Sequence, residues 1–396
     1  MTCSAATTLL SPGRRPFVGA GGRGGRVAAA PVALPIALLL FSACEQTGAT
    51  AQPVRSPTLS GGITQPVQLP AQSVVVVGAH EVAALGCGAQ VIAWPTDSQP
   101  IANQTVPRRD VVEVVSQSGG QPRVVARAQH GGDLDSPVPI TDPWLVYIEY
   151  KQHLTTSSAE FWYLNAVNLG TGETRVLASA VSGAELNAVP RYSASSGRAV
   201  WDQYDAHGVP VLRLHDFATG QTTTLGLPPG AFPVNPVISG NEVIYVDNST
   251  DPNSSQEDWL GRRGSLRRYN IQDGQVVTLD PEPSAFMAQI GGSQVVWYAV
   301  PQEVKTVPIG GGSITIIGRY SGIPQTNGSV VVWYDSRALR FMAFGLNNHR
   351  MSPLQIGDWP DPRGTFALCG NRLYFALSPD LESPNITIRY ADLAGL

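Results

Sequence analysis

The stretch RAVWDQYDAHGVPVLRLHDFATGQTTTLG (residues 198–226) contains two apolar segments separated by a polar loop. The first segment carries Trp201, and the second leads into a turn at Thr219-Gly220. Short apolar segments bounded by turn residues are typical of β-strands, and glycine favours tight turns because it reaches positive φ without a steric penalty. This stretch therefore predicts antiparallel strands joined by short connections.

Seven segments of the chain repeat the first half of this stretch, an apolar strand with an aromatic residue. They are QVIAW (90–94), WLVYIEY (144–150), RAVWDQY (198–204), EVIYVDN (242–248), QVVWYAV (294–300), VVVWYDS (330–336) and RLYFALS (372–378), with the aromatic residues Trp94, Tyr147, Trp201, Tyr245, Trp297, Trp333 and Tyr374. The copies follow one another roughly every 40–50 residues, and each repeat has room for four short strands. This period predicts an all-β fold, a seven-bladed β-propeller over residues 66–396 with four antiparallel strands per blade. Six or eight blades are the alternatives.

The last repeat ends after its third strand, within ITIRYADLAGL (386–396). The segment SVVVV (73–77) lies before the first repeat, at the place where every other repeat has its fourth strand. An N-terminal strand that completes the last blade would close the ring and leave no unpaired edge between the two ends of the chain. We therefore expect residues 73–77 to pair with the last repeat.

The repeated pattern of Pro, Gly, two apolar residues and Trp or Tyr, followed by Asp-x-x-Thr-Gly, resembles the TolB-like β-propeller family over most of residues 66–396. This resemblance implies a binding module of the bacterial cell envelope. The signature of WD repeats is absent, because Trp201-Asp202 occurs once and no Gly-His pair recurs in register.

The N-terminal segment has the features of a secretory signal. Arginines at positions 14, 15, 23 and 26 precede an uncharged apolar stretch at 27–43, which predicts a signal peptide over residues 1–43. The sequence LLFSAC resembles the lipobox of bacterial lipoproteins, which implies a lipid on Cys44 and a location on the outer face of the cytoplasmic membrane. The segment that follows Cys44 is rich in Gly, Ser, Thr, Pro and Gln and has almost no apolar residues, which predicts a flexible tether over 44–65. A retained membrane anchor and plain secretion are the alternatives, and Arg14-Arg15 leaves general and twin-arginine export both open.

Composition argues against one class of partner. Only 14% of the residues are charged, and the net charge is −4. A nucleic-acid-binding protein needs a basic face, so no nucleic acid is expected as a partner.

Catalytic motifs are absent from the sequence. No Gly-x-Ser-x-Gly nucleophile elbow occurs, and the histidines at 80, 130, 153, 207, 215 and 349 have no metal-ligand spacing. The sequence therefore predicts a non-catalytic binding or scaffold module that is tethered to the membrane, with an unknown envelope protein or glycan as its partner. The alternative is an enzyme or carbohydrate-binding propeller with a pocket at the central channel, because such sites assemble from distant blades.

Two acidic segments contain candidate ligand or catalytic residues. In DNSTDPNSSQED (247–258), Asp247, Asp251 and Asp258 have an EF-hand-like spacing that would suit Ca²⁺, but Pro252 replaces the turn glycine, so a solvated polar loop is the alternative. In GGDLDSP (131–137), Asp133 and Asp135 are expected on a loop between blades, as turn residues rather than a catalytic pair.

Long loops between the second and third strands predict a binding face. These loops occur in blades one, two, four and seven (95–109, 151–160, 248–263 and 379–385), and they all open on one side of a propeller. They place Arg108, Arg109, Lys151 and His153 on one wall of that face and Trp259, Arg262 and Arg263 opposite. Loops on a rigid scaffold commonly carry binding residues, although tolerance of insertions is the alternative reason for their length.

Cys87 and Cys369 are predicted to form a disulfide. Export removes Cys3 and lipidation uses Cys44, which leaves these two thiols in an oxidising compartment. They occupy equivalent places in ALGCGAQVIAW and ALCGNRLYF, in the first and last repeats, which meet only if the ring closes. Two reduced, buried cysteines are the alternative.

Overall fold

A computed structural model describes residues 65–78, 82, 84–99, 109–135, 137–152, 159–250, 263–319, 322–356, 365–377, 386–394 and 396. All of them belong to the unit Arg55–Leu396, one of two into which the chain divides. Within these residues the regular structure consists of β-strands and two single-turn 3-10 helices, Ala184–Asn187 and Asn248–Thr250. None of the described helices is long and apolar enough to cross a bilayer.

The first three sheets follow the chain in order. Sheet 1 contains β3 (Gly86–Cys87), β4 (Val91–Thr96), β5 (Val111–Ser116) and β6 (Arg123–Arg127). Sheet 2 contains β7 (Asp133–Asp135) and β8 (Ile140–Thr141), which both pair with β9 (Trp144–Gln152), then β10 (Ala159–Asn168) and β11 (Thr174–Ala180). Sheet 3 contains β12 (Tyr192–Ser195), β13 (Arg198–Tyr204), β14 (Pro210–Asp216) and β15 (Gln221–Thr224).

Sheets 4 and 5 are fused by one long strand. Sheet 4 contains β16 (Pro233–Ser239), β17 (Glu242–Asp247), β18 (Gly264–Asn270) and the first part of β19 (Val276–Gly291). Sheet 5 contains the second part of β19 with β20 (Gln294–Ala299), β21 (Glu303–Pro308) and β22 (Thr315–Arg319). The first part of β19 pairs with β18 and its last part pairs with β20. The pairing is interrupted at the segment that contains Pro281 and Pro283. Proline lacks the N–H that a ladder needs, so the switch between partners falls at the prolines.

The N-terminal segment adds a strand to each of the last two sheets. Sheet 6 contains β23 (Gln325–Thr326), β24 (Val330–Asp335), β25 (Arg340–Gly345) and β26 (Met351–Ile356), and β1 (Val67–Leu69) pairs parallel to β26. Sheet 7 contains β27 (Phe366–Cys369), β28 (Arg372–Leu377) and β29 (Ile386–Asp392), and β2 (Ala71–Gly78) pairs antiparallel to β29. Four strands per repeat was therefore too few for sheets 2 and 6, which have five strands each.

Apolar clusters join consecutive sheets through the repeated aromatic residues. Trp201 of sheet 3 packs with Trp144 and Trp162 of sheet 2, and Trp94 of sheet 1 shares a cluster with Ala367 and Ile388 of sheet 7. The equivalent clusters link sheets 1 and 2, 3 and 4, 4 and 5, 5 and 6, and 6 and 7. The seven aromatic residues are at most 3% exposed. Full burial of each such side chain contributes about 2–3 kcal/mol relative to exposure.

The alignment of the last repeat was wrong by one residue. In sheets 1 to 6 the repeated aromatic side chain packs against the preceding sheet, but Tyr374 faces sheet 1. Leu373 and Phe375 are the β28 residues that pack against sheet 6. Since alternate residues of a strand face opposite sides, Phe375 is the true equivalent of the other aromatic residues.

The repeated Asp-x-x-Thr-Gly motif forms a turn between third and fourth strands. Oδ1 of Asp216 accepts hydrogen bonds from the N–H groups of Ala218 and Thr219 at 3.0 and 3.1 Å, and the N–H of Gly220 donates to the Asp216 carbonyl at 2.8 Å. Asn168 with Gly172 and Asn270 with Gly274 repeat this arrangement. The glycine closes the turn at a φ of 71° in the first case. The motif is therefore structural.

Replacing Gly220 with alanine should lower the free energy of unfolding by about 1 kcal/mol, because the φ of 71° disfavours a Cβ atom. No neighbouring atom lies within 4 Å of the added Cβ, so steric contact adds nothing to this cost. His349→Ala is the matched control, because His349 closes the corresponding turn of sheet 6 at a φ of 54° and already carries a side chain. Urea unfolding that shows equal losses for both variants would contradict this account of the motif.

Candidate functional site

The two ends of each sheet are built differently. At one end, here called the turn end, short turns join first to second and third to fourth strands. At the other, here called the loop end, the second strand joins the third through connections that range from 300–302 in sheet 5 to 248–263 in sheet 4. The connections between consecutive sheets also lie at the loop end. The binding face predicted from the sequence lies at this loop end. The charged and aromatic side chains at the loop end of sheet 2 are described below.

Glu149 organises the connection between sheets 1 and 2. Its side chain is 1% exposed and faces sheet 1 from β9. The carboxylate accepts hydrogen bonds from the N–H groups of Gln129, His130 and Gly132 at 2.8, 2.7 and 3.1 Å. Burial by itself would raise the pKa of Glu149, but these bonds and the His130 side chain outweigh it and lower the pKa below its ordinary value. The buried carboxylate is therefore charged at neutral pH.

A plate of three rings covers Glu149. The rings of His130 and Tyr163 stack with centroids 3.7 Å apart and planes 8° apart. The ring of Phe161 lies 5.8 Å from that of Tyr163 and is tilted by 57° to it and by 64° to the ring of His130. His130 Nδ1 lies 3.1 Å from Glu149 Oε2. Because the carboxylate is ionised, Nδ1 carries the proton and donates this bond. The side chain of His130 is still 38% exposed, so the plate is held in place and open to solvent.

Two ion pairs lie at the loop end of sheet 2, with Lys151 on the face of the plate and Asp135 on the opposite face. Lys151 Nζ lies 2.6 Å from Glu160 Oε2, and Arg109 Nη1 lies 3.5 Å from Asp135 Oδ1. Tyr150 lies beside Asp133 in the strand register. Burial raises the pKa of Tyr150, and the charge of Asp135 adds to the effect. The phenol therefore stays neutral and can donate a hydrogen bond.

The predicted binding-face residues fall partly within this region. Arg109 and Lys151 lie at the loop ends of sheets 1 and 2, each in an ion pair. Arg263 lies at the loop end of sheet 4, where its carbonyl accepts a hydrogen bond from Asn248 Nδ2 at 2.7 Å. Arg108, His153, Trp259 and Arg262 lie outside the described residues, as does Cys44.

Asp247 already has partners within the protein. Its Oδ1 accepts hydrogen bonds from the N–H of Phe232 at 3.1 Å and from Ser249 Oγ at 2.6 Å, and its Oδ2 lies 3.5 Å from Arg267 Nε. Asp251 and Asp258 lie outside the described residues. Within the described part of the chain, no cluster of three His, Cys, Asp or Glu side chains could hold a metal ion. Calcium binding by 247–258 stays a prediction.

Asp133 and Asp135 were expected on a loop, and that expectation was wrong. They belong to β7, the inner strand of sheet 2, where Asp133 pairs in register with Tyr150 and Asp135 with Ile148. The three-residue strand was missed because its aspartates and flanking glycines are typical of turns.

Cys87 and Cys369 lie at adjacent sheets with their Cα atoms 5.9 Å apart and their sulfur atoms 2.14 Å apart. Cys87 ends β3 of sheet 1, and Cys369 ends β27 of sheet 7. The structure thus links the inner strands of the first and last repeats through a disulfide.

Sequence reasoning missed His130, Glu149, Phe161 and Tyr163 as a group. His130 was one of six scattered histidines, and the other three lay inside predicted strands. One signal was present: Glu149 is an acidic residue within the otherwise apolar WLVYIEY. A charge that is buried in a strand needs fixed partners, so Glu149 indicates hydrogen-bond donors nearby.

Comparisons with known proteins support the fold. No family model and no curated protein matches the chain. A structure from a study of two prolyl endopeptidases has 12% identity and a TM-score of 0.55, covering 81% of this chain and 48% of that one. BamB from Moraxella catarrhalis has 12% identity and a TM-score of 0.45, covering 80% of this chain and 84% of that one. The computationally designed protein Ika8 has 13% identity and a TM-score of 0.44, covering 81% of this chain and 99% of that one. Together with the four-stranded antiparallel sheets, the endopeptidase match supports a β-propeller fold and carries nothing about activity.

Proposed function

We propose that residues 66–396 form a closed seven-bladed β-propeller in which sheets 1 to 7 are the blades. Three observations support closure between sheets 7 and 1: the apolar cluster around Trp94 and Tyr374, the pairing of β2 with β29, and the Cys87–Cys369 bond. A closed ring gives each blade two neighbours on which to bury its faces, so the scaffold is rigid.

We propose further that this propeller is an exported, lipid-anchored, non-catalytic binding module. The basic and apolar segment before Cys44 supports export, and a disulfide between the last two thiols suits an oxidising compartment. In the function that we propose, the lipid on Cys44 and the tether over 44–65 hold the propeller at the outer face of the membrane, where it binds an envelope protein or glycan.

The difference between the turn end and the loop end of the sheets is the observation that supports a binding role. Turns such as Asp216–Gly220 saturate their own backbone groups and repeat from sheet to sheet, which is what a purely structural end requires. The loop end of sheet 2 instead combines Arg109, Lys151 and the His130 plate, and the residues that the structure describes at the other loop ends do not repeat this combination. Variable groups on a rigid scaffold are typical of a binding surface.

Charge reversal at the loop end should remove the partner. When the partner is cross-linked to the protein in intact cell envelopes, Arg109→Glu with Lys151→Glu is expected to lower the recovery of cross-linked partner by about tenfold or more. Each new glutamate lies beside Asp135 or Glu160, so both ion pairs are replaced by like charges that disrupt the loop end. The control is Arg123→Glu with Arg350→Glu, which makes the same change of charge at the turn ends of sheets 1 and 6. Equal recovery with both pairs of substitutions would contradict a binding role for the loop end.

The lipid anchor has its own test. Cells fed a fatty-acid analogue should label the wild-type protein and not Cys44→Ala, and the variant should leave the membrane fraction. Equal labelling of the two proteins would rule out lipidation at Cys44.

A further inference from the structure

The His130 plate is arranged before any ligand arrives. An exposed histidine normally samples several rotamers, but His130 is held by Glu149 Oε2 at 3.1 Å and by the Tyr163 ring at 3.7 Å. Because Nδ1 donates to Glu149, Nε2 is the nitrogen left for another partner. Fixing the rings in advance removes the entropy cost of ordering them when a ligand binds.

Among the described residues, the charged side chains beside the plate are paired. Glu149 accepts a hydrogen bond from His130, and Lys151 pairs with Glu160. A site for an anion or a metal ion would need an excess of one charge, and the described residues contain no metal-binding cluster. The surface therefore suits a neutral ligand that has many hydrogen-bonding groups.

The plate is also small. It consists of three rings, whereas a stable protein partner covers about 800 Å² on each side. Lys151 is the register partner of Phe161, so its side chain, which is 52% exposed, lies beside the aromatic rings. An aromatic face next to charged hydrogen-bonding groups matches a pyranose ring, whose C–H face stacks on aromatic rings and whose hydroxyl groups bond to polar side chains.

We propose that the plate of His130, Phe161 and Tyr163, with the adjacent Lys151–Glu160 pair, is a carbohydrate subsite that stacks a neutral hexose ring of an envelope glycan. This inference rests on the proposed binding function and names the class of partner at the same loop end. Because the Phe161 ring is tilted to the other two, the sugar ring stacks on the face of one ring of the plate, one hydroxyl bonds to His130 Nε2, and others bond to Lys151 and Glu160.

The test is titration of the full exported protein, purified in detergent, with chitotetraose and with maltotetraose. Saturation-transfer NMR should detect binding of at least one of them at millimolar concentration. His130→Ala should weaken that binding by about tenfold, the usual effect of losing one aromatic contact and one hydrogen bond. Tyr163→Phe keeps the stacked ring and should bind like the wild type. His207→Ala, an exposed histidine in the second-to-third-strand connection of sheet 3, is the matched control and should also bind normally.

Two results would overturn the inference: no binding of either sugar to the wild type, or binding that His130→Ala leaves unchanged while circular dichroism shows a native fold. If sugars fail to bind but cross-linking of an envelope partner still requires Arg109 and Lys151, the proposed binding function stands and the carbohydrate subsite is wrong.

Discussion

Replacing Cys87 and Cys369 together with alanine is expected to lower the free energy of unfolding by about 5 kcal/mol, the largest effect of any substitution considered. The bond joins residues separated by 282 positions, and in the chain-entropy model a cross-link over so long a loop restricts the unfolded chain strongly. The measurement is guanidinium unfolding of the exported protein with and without the substitutions. Its midpoint should fall in the variant.

Reduced wild-type protein is the control, since it lacks the bond but keeps both sulfur atoms in place. Its stability should approach that of the double variant, and the remaining difference measures the packing of Cys369, which is 9% exposed. A double variant that is as stable as the oxidised wild type would show that the bond contributes nothing to holding sheets 1 and 7 together.

Glu149→Gln is expected to cost about 3 kcal/mol at neutral pH, because an uncharged amide replaces a buried carboxylate that accepts three backbone N–H bonds. The folded-state pKa of Glu149 is lowered, so its contribution to stability is fully present above the ordinary pKa of 4.5 and is lost as the pH falls through the folded-state value. Urea unfolding across this range should show the wild type and the variant converging as the pH drops below 4.5.

Glu160→Gln is the matched control on the same sheet. Glu160 pairs with Lys151 in a partly exposed ion pair, so its loss should cost at most about 1 kcal/mol. If Glu160→Gln and Glu149→Gln cost the same at neutral pH, the carboxylate of Glu149 does not organise the connection between sheets 1 and 2.

The strands were predictable because their signal is local and repeated. Each copy carries a short apolar run with an aromatic residue and a turn residue nearby, and their recurrence roughly every 40–50 residues then indicated the repeat length. Two long-range features also followed from equivalence between repeats, namely the position of residues 73–77 and the partnership of Cys87 with Cys369. In both cases the segment or residue occupied an equivalent position in the repeat pattern and had no partner within its own repeat.

Other features depend on the path of the backbone in three dimensions, and no residue type in the sequence indicates them. The fusion of sheets 4 and 5 needs β19 to continue past Pro281 and Pro283, which ordinarily end a strand. The fifth strand of sheet 6 is only Val67–Leu69, too short to distinguish from a linker. Tyr374 and Phe375 are adjacent aromatic residues, and only the packing decides which one faces sheet 6.

The His130 plate was hidden for the same reason. His130 and Glu149 stand 19 residues apart, on a connection and a strand, and nothing in either segment indicates that the N–H groups of 129–132 converge on one carboxylate. Tyr163 lies beside Glu149 because the two residues are register partners in the β9–β10 pair, and the sequence does not determine that register.

The central claim is that seven blades form a ring closed between the last repeat and the first. A crystal structure of the exported protein tests it most directly. The account predicts seven sheets around one axis, with residues 71–78 paired antiparallel to 386–392 and Cys87 bonded to Cys369. Six or eight blades, or an open arrangement in which residues 71–78 pair elsewhere and the two cysteines lie apart, would contradict it.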